Sequence, residues 1–212
     1  AWAAKWHGDH RVIFRSEFHH GRGPMVEQIY QLLHEADIVV HFNGATFDMP
    51  WIRTEGSLMG LTPYSPVQEI DLYKVAKKVF RFPSYKLDYI VQRFELGAKV
   101  STGGFELWRD CYNNDPKAWR RMRQYNIHDV RITEKLYDRL LPYIPSHPNM
   151  ALFDDDAGLV EKCPSCNSEE RKPDGFALTK QGRYPKYQCS NCGRYYRSTK
   201  RDALVYTTGV TT

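Results

Sequence analysis

Apolar and polar residues along the 212-residue chain change period several times, and each change marks an element. Residues 2–6 and 11–18 (RVIFRSEF) carry the short alternation of strands, with His7-Gly8-Asp9-His10 as the turn, so a hairpin is predicted at the start. After HHGRGP, Pro24 suits the first position of a helix in which Met25, Ile29, Leu32, Leu33 and Ala36 recur at helical spacing. DIVVHFN is a continuous apolar run of the kind found in a buried strand. A helix is expected from Thr46 to about Met59, closed by Gly60. VQEIDL reads as another short strand, with Asp71 placed to cap a helix through LYKVAKKVF, and Ser84 is placed to cap KLDYIVQRF. The strongest helical pattern follows Asn113-Asn114: Asp115 as N-cap, Pro116 in the first turn, then periodicity from Trp119 to about Leu140, stopped by Pro142 and Pro145. Mixed strands and helices of this kind define an α/β layer fold.

Beyond Pro145 the pattern weakens. SHPNMALFDDDAG, residues 146–158, has the Pro, Asn, Gly and Asp content of a linker. Residues 1–145 therefore form one domain and 159–201 a second, small one, with 202–212 as a tail. Charge follows the same division. The net +5 is concentrated in residues 159–201, where ten Lys/Arg face four Asp/Glu, while the remainder sums to −1. A basic end on a nearly neutral body suits a polyanion partner, although a solvated basic surface gives the same count. No apolar run approaches the ~20 residues needed to cross a bilayer, and AWAAKWHGDH lacks the order of a signal peptide. A cytoplasmic protein without a membrane partner is expected.

Two acids stand out in the body. Asp48 lies between Phe47 and Met49-Pro50-Trp51-Ile52, just beyond a strand and at the end where open α/β sheets place their ligands. Asp129 shares a helix face with Met122, Tyr125, Ile132 and Leu136. A carboxylate in such a register needs a cation, a donor or a metal. Either acid alone has a helix cap or an arginine pair as its ordinary explanation. With Tyr125 one turn before Asp129, they become candidates for phosphodiester hydrolysis assisted by Mg²⁺ or Mn²⁺, whose hard charge prefers oxygen ligands.

NGATFD (Asn43–Asp48) resembles the second motif of DEDD-type 3′-to-5′ exonucleases, and YNIHD (Tyr125–Asp129) is similar to their third, Tyr-x-x-x-Asp. Gln124 stands where the His subclass has its histidine, so the likeness is to the Tyr variant, and the two motifs lie about 80 residues apart in the expected order. The connecting EIDLYKVAKKVFRFPSYKLDYIVQRF is similar to DnaQ-like, YprB-like and phage-encoded members. The resemblance covers residues 1 to about 145 and implies a ribonuclease H-like mixed sheet flanked by helices. It implies that Asp129 and Asp48 ligate two Mg²⁺ or Mn²⁺ ions and that Tyr125 orients the attacking water. It also implies that Asn43 and Phe47 contact the terminal nucleotide. Lys86 is a candidate phosphate contact, with a solvated lysine as the competing account. The expected substrates are 3′ ends of single-stranded DNA or RNA in a bacterial or phage-infected cell, with replication proteins as further partners. The family's first motif, Asp-x-Glu, does not occur in these 212 residues. In family order it precedes AWAAKW, so it is expected upstream, without which the fragment is inactive; a non-catalytic nucleic-acid-binding relative is the alternative. A ribonuclease or endonuclease on the same fold is another.

Cys163-Pro-Ser-Cys166 and Cys189-Ser-Asn-Cys192 are two C-x-x-C pairs separated by 22 residues. Four thiolates at this spacing fit one structural Zn²⁺ in a zinc ribbon, with strands around GFALTK and YPKYQCS. Cys111 lies outside the pattern and reads as a buried apolar residue. Phe176, Tyr184, Tyr187, Tyr195 and Tyr196 alternate with Lys and Arg, which suits base stacking on single-stranded nucleic acid. They fit equally a small aromatic core for the ribbon.

Overall fold

The computed structural model describes residues 1–98, 104–153, 161–180 and 182–204. The chain forms two compact units, residues 1–138 and 139–212. The first opens with the expected hairpin, β1 (Trp2–Ala4) antiparallel to β2 (Ile13–Arg15), in register Trp2 to Arg15. The run 11–18 does not stay extended, because Ser16 Oγ accepts from the His19 amide and starts a helical turn, α1 (Glu17–His20). Gly21, in the left-handed region at φ 77°, turns the chain into α2 (Arg22–Glu35). Pro24 is therefore the third helical residue, where its missing N–H still costs nothing.

Val26, Ile29 and Leu33 give α2 its buried face. Next come β3 (Ile38–His41), α3 (Asp48–Leu58) and β4 (Gln68–Asp71), with β3 and β4 parallel and Ile38 opposite Gln68. Ile29, Leu33 and Met49 form a buried cluster against which Trp2, Tyr30, Val39 and Ile52 pack, so both strand pairs share one apolar layer. The helix α4 (Leu72–Val79) is capped by Asp71, which accepts from the Tyr73 amide. Ser84 accepts the Lys86 amide at 3.4 Å, closing the turn before α5 (Leu87–Arg93) instead of capping the helix itself. Helix α6 (Phe105–Tyr112) has no counterpart in the sequence reading; it presents Leu107 and Cys111 to Ala118 and Met122 of α7 (Pro116–Leu140). Cys111 is thus the buried apolar residue expected.

Two expectations change. Instead of one mixed sheet, the described residues form separate two-stranded sheets in this unit, β1–β2 and β3–β4. The run Ile38-Val39-Val40 is half-exposed, not buried. Both follow from the same fact: among the described residues β1 pairs only with β2 and β3 only with β4, so each keeps an open edge.

The second unit begins with the end of α7 and a short 3₁₀ turn (Leu141–Tyr143). The stretch read as a linker is partly structured: Asn149 caps a second 3₁₀ turn (Met150–Leu152), and the Met150 amide donates to Pro164 O at 2.8 Å. The three-Asp run, residues 154–156, lies outside the described residues. A sheet follows, with β5 (Arg171–Thr179), β6 (Gly182–Cys189) and β7 (Tyr195–Arg197) antiparallel in that order. The region read as a tail begins with β8 (Ala203–Leu204), which pairs with Gly182–Arg183. Asp202 reinforces it through a 2.8 Å hydrogen bond from Arg183 Nε.

The α2–α3 contact depends on Gly56. A Cβ there would lie 2.0 Å from Tyr30 Cζ, whose ring is in turn held edge-on by Tyr64 at 5.2 Å. Gly56→Ala gains ~1 kcal/mol of helix propensity but overpacks the contact at a cost of roughly 1–3 kcal/mol. A net loss of stability in urea unfolding is expected, reversed when Tyr30 is also truncated to Ala.

Candidate functional site

The parallel strands β3 and β4 end beside each other, at His41 and Asp71. After β3 the chain turns sharply. Asn43 takes a left-handed backbone at φ 63°, which Asn tolerates better than most residues. Its amide donates to Asp71 Oδ1 at 2.8 Å. The Gly44 amide donates to His41 Nδ1 at 3.1 Å, and a Cβ at Gly44 would sit 2.7 Å from His41 Cγ, so the turn requires glycine. The Met49 amide then donates back to Gly44 O at 2.9 Å, and Asp48 falls in the first turn of α3, where a carboxylate complements the helix dipole.

This network sets charges as well as shape. With Nδ1 accepting from Gly44, the hydrogen-bond pattern assigns the His41 proton to Nε2, which faces Glu69 Oε2 at 3.2 Å. Glu69 also receives Arg53 at 2.7 Å. Asp71 is 6% exposed; its Oδ1 serves two amides, Asn43 and Tyr73, while the buried Oδ2 makes no hydrogen bond and lies 3.9 Å from His41 Nδ1. Asp48 is exposed as a residue, yet protein crowding strips water from its carboxyl and raises its pKa. His41 opposes that shift and the charge of Asp71 adds to it.

Phe47 and Trp51, 60% and 67% exposed, flank Asp48, while Met49 is 3% exposed and Ile52 half-buried. Asp48 therefore stands on the open side of an amphipathic helix, not among core residues. On α7, Met122, Ile132 and Leu136 are buried, and Tyr125 and Asp129 are half-buried at the margin of that stripe. Tyr125 packs against the Leu107–Cys111–Ala118–Met122 cluster, and Asp129 Oδ1 is shielded from solvent. The turn thus joins Asn43, Phe47 and Asp48, and the helix joins Tyr125 and Asp129. Lys86 sits exposed ahead of α5. Among the described residues, Asp48 and Asp129 do not sit with a third carboxylate or histidine in a cluster tight enough to hold an ion. Two oxygen donors suit Mg²⁺ in kind but fall short in number. His41 and the second role of Asp71 escaped the sequence reading. The signal was there: each lies near the end of a run read as a strand, and parallel strands bring such ends together.

The cysteines form the other centre. Their four Sγ atoms lie within 4.8 Å of one another, with Cys163–Cys192 at 3.7 Å and Cys166–Cys189 at 3.6 Å. Zn–S bonds of ~2.3 Å in a tetrahedron put sulfurs about 3.8 Å apart, so the spacing fits. Each knuckle is closed by a left-handed residue after its second cysteine, Asn167 at φ 60° and Gly193 at φ 79°, whose amides return to Cys163 O and Cys189 O. Burial pushes the Cys163 and Cys192 thiols up. Burial also opposes ionisation of Cys189, but the amides of Cys192 and Asn191 and the neighbouring sulfurs outweigh it and bring that thiol to about 7. Four thiols this close ionise together only around a cation.

The aromatics of the β5–β6–β7 sheet answer the question left by the sequence. Arg171 covers Tyr187 at 4.6 Å, Arg183 covers Phe176 at 4.3 Å and Arg197 covers Tyr184 at 4.2 Å. Tyr187 and Tyr196 pair at 5.8 Å and are half-buried, whereas Phe176 and Tyr195 are 47% and 56% exposed. Some rings form a small core and others face solvent beside cations.

Residues 4–141 match the RNase_H_2 family of the RNase_H superfamily, and the chain belongs to that superfamily. Consistent with this, a DNA polymerase of Methanocaldococcus jannaschii is 21% identical over 160 residues, 62% of this chain and 10% of the polymerase. The chain thus spans about a tenth of that relative's length. Among the described residues no helix is long and apolar enough to cross a membrane.

The geometry predicts the sign of one titration. Asp71→Asn keeps an oxygen acceptor for the two amides but removes the charge that raises the Asp48 pKa. Carboxyl NMR titration of this variant should therefore place Asp48 at a lower pKa than in the parent. A mutation to Ala instead leaves both amides without their acceptor and should cost roughly 1–3 kcal/mol in unfolding.

Proposed function

We propose that the chain belongs to a metal-dependent 3′-to-5′ exonuclease of the DEDD Tyr type, acting on single-stranded nucleic acid, with a zinc ribbon that helps hold the strand. The observation that supports this most is the construction of the Asn43–Asp48 turn. A left-handed asparagine, an obligatory glycine and a buried aspartate fix Asp48 at the ends of two parallel strands. Superfamily membership agrees with nuclease chemistry.

In this reading Asp48 and Asp129 offer carboxylate oxygens, Tyr125 orients water with its hydroxyl, and Asn43 and exposed Phe47 meet the terminal nucleotide. Bound divalent ions supply Lewis acidity and a more acidic water. The reading needs further carboxylates, such as the Asp-x-Glu that the family resemblance implies and that does not occur in these 212 residues. On the ribbon, Zn²⁺ bound by Cys163, Cys166, Cys189 and Cys192 supplies much of the folding free energy. Cations and exposed rings of the sheet attract and stack the strand, which raises its concentration at the first unit. The shortage of carboxylates favours a second reading, a nuclease fold that binds nucleic acid without cleaving it.

In the full-length polypeptide with Mg²⁺ or Mn²⁺, 5′-labelled single strands should shorten as a ladder from the 3′ end, and a blocked 3′ terminus should stop it. Asp48→Ala or Asp129→Ala should abolish the ladder with circular dichroism unchanged, and Tyr125→Phe should slow it by roughly 10²–10⁴-fold. Full activity in Asp129→Ala removes the site assignment; no ladder from the full-length parent favours the binding protein.

Elemental analysis should find one zinc per chain, and chelation should remove the strand signal of the ribbon. Because zinc needs thiolates, its apparent affinity should weaken as pH falls through about 7, where Cys189 takes up its proton.

A further inference from the structure

Away from the Asn43–Asp48 turn, the first unit contains a hollow of about 510 Å³ where β2, α1 and α7 meet. Its charged and titratable lining is basic throughout: Arg11, Arg15 and Arg123 with His19 and His20. The rest of the lining is Val12, Ile13 and Phe14, so no carboxylate faces in. Elsewhere this chain pairs its arginines readily, as in Arg22–Glu55, Arg53–Glu69, Arg171–Glu161 and Arg183–Asp202. Among the described residues, Arg11, Arg15 and Arg123 enter no salt bridge. Asp9 accepts the Arg11 amide at 2.9 Å and its charge acts on Arg11, but one carboxylate does not balance three guanidinium groups, which repel one another unless an anion joins them.

The hollow is also built. Arg15 is held by neutral acceptors, Gln28 Oε1 and, at 2.9 Å, Phe14 O, so its orientation is fixed while its charge stays unbalanced. Fully buried Ser16 meets both imidazoles at Nδ1: its hydroxyl lies 2.7 Å from that of His19, and its amide and carbonyl lie 3.3 and 3.2 Å from that of His20. Beside them Phe18, 39% exposed, lies nearly parallel to Trp119, with centroids 5.5 Å apart and planes 10° from parallel. Guanidinium groups next to an accessible ring suit phosphates followed by bases, and the volume falls within the ~300–1,000 Å³ of ligand sites.

We propose that this hollow binds the sugar-phosphate backbone of single-stranded nucleic acid, with Phe18 as a platform for one base. It is a contact on the first unit, distinct from the ribbon and from the Asp48 and Asp129 groups. It rests on the reading that nucleic acid is the ligand of this chain, but not on hydrolysis.

The test is binding of a fluorescent 20-nucleotide oligothymidylate to the whole chain, followed by anisotropy across salt concentrations without added Mg²⁺ or Mn²⁺. Arg11→Gln/Arg123→Gln changes two exposed side chains and should weaken binding about tenfold. It should also flatten the logarithmic salt slope by about 1.4, at ~0.7 per phosphate lost from a single strand. Phe18→Ala should weaken binding with the slope kept. Lys78→Gln/Arg93→Gln, the same charge change on exposed residues outside the hollow, should alter neither. A hollow variant that behaves like this control overturns the proposal. So does inorganic phosphate or a mononucleotide that shifts the His19 and His20 NMR signals without displacing the 20-mer, which would assign the hollow to a small phosphate compound. Since no cleavage is read, an inactive enzyme leaves the outcome unaffected, and the two readings fail separately.

Discussion

The buried carboxylate of Asp71 is the constraint on which the first unit turns. It ends β4, starts α4 by accepting the Tyr73 amide, and reaches across to the Asn43 amide after β3. One oxygen atom thus fixes where two strands end, where one helix begins and how the chain turns toward Asp48. A buried carboxylate is costly, and the two amide donors offset part of the cost. An apolar residue in its place would leave two amides without acceptors and free the turn that positions the site.

The second unit reaches rigidity by another route. Its long strand β5 is mostly exposed, and beyond Leu140, Leu141 and Ile144 its buried residues are chiefly Cys163, Cys189, Ser165 and Ser198. With so little apolar area, the four sulfurs, the Arg–aromatic stacks and backbone ties such as Arg194 to Ile144 O, at 2.7 Å, take over the task of a core. The cations that hold the sheet's rings are of the same kind that would meet phosphate.

Much of this was legible in the sequence because local chemistry decided it. Asp71 as a cap, Asp115 and Pro116 at the start of α7, Gly60 closing α3 and the two cysteine knuckles each depend on a few adjacent residues. What escaped depends on distant partners. Ile38-Val39-Val40 looks buried by composition, but burial needs a neighbouring strand on each side. Helix α6 has a short pattern that becomes meaningful only against Ala118 and Met122. Likewise Asp48 reads as a charge within a core segment until the helix shows Phe47 and Trp51 facing outward. The fit between His41 and Gly44 is invisible in one dimension, since no periodicity reports a 2.7 Å approach.

The parallel pairing of β3 with β4 has a kinetic consequence. Ile38 must find Gln68 across an intervening helix, whereas β5 and β6 meet through a turn of a few residues. Loop closure makes the distant pairing slower to nucleate. In a chain emerging from the ribosome, the bend at Asn43 cannot be secured until Asp71 has been synthesised, so the turn waits on a residue 28 positions further on.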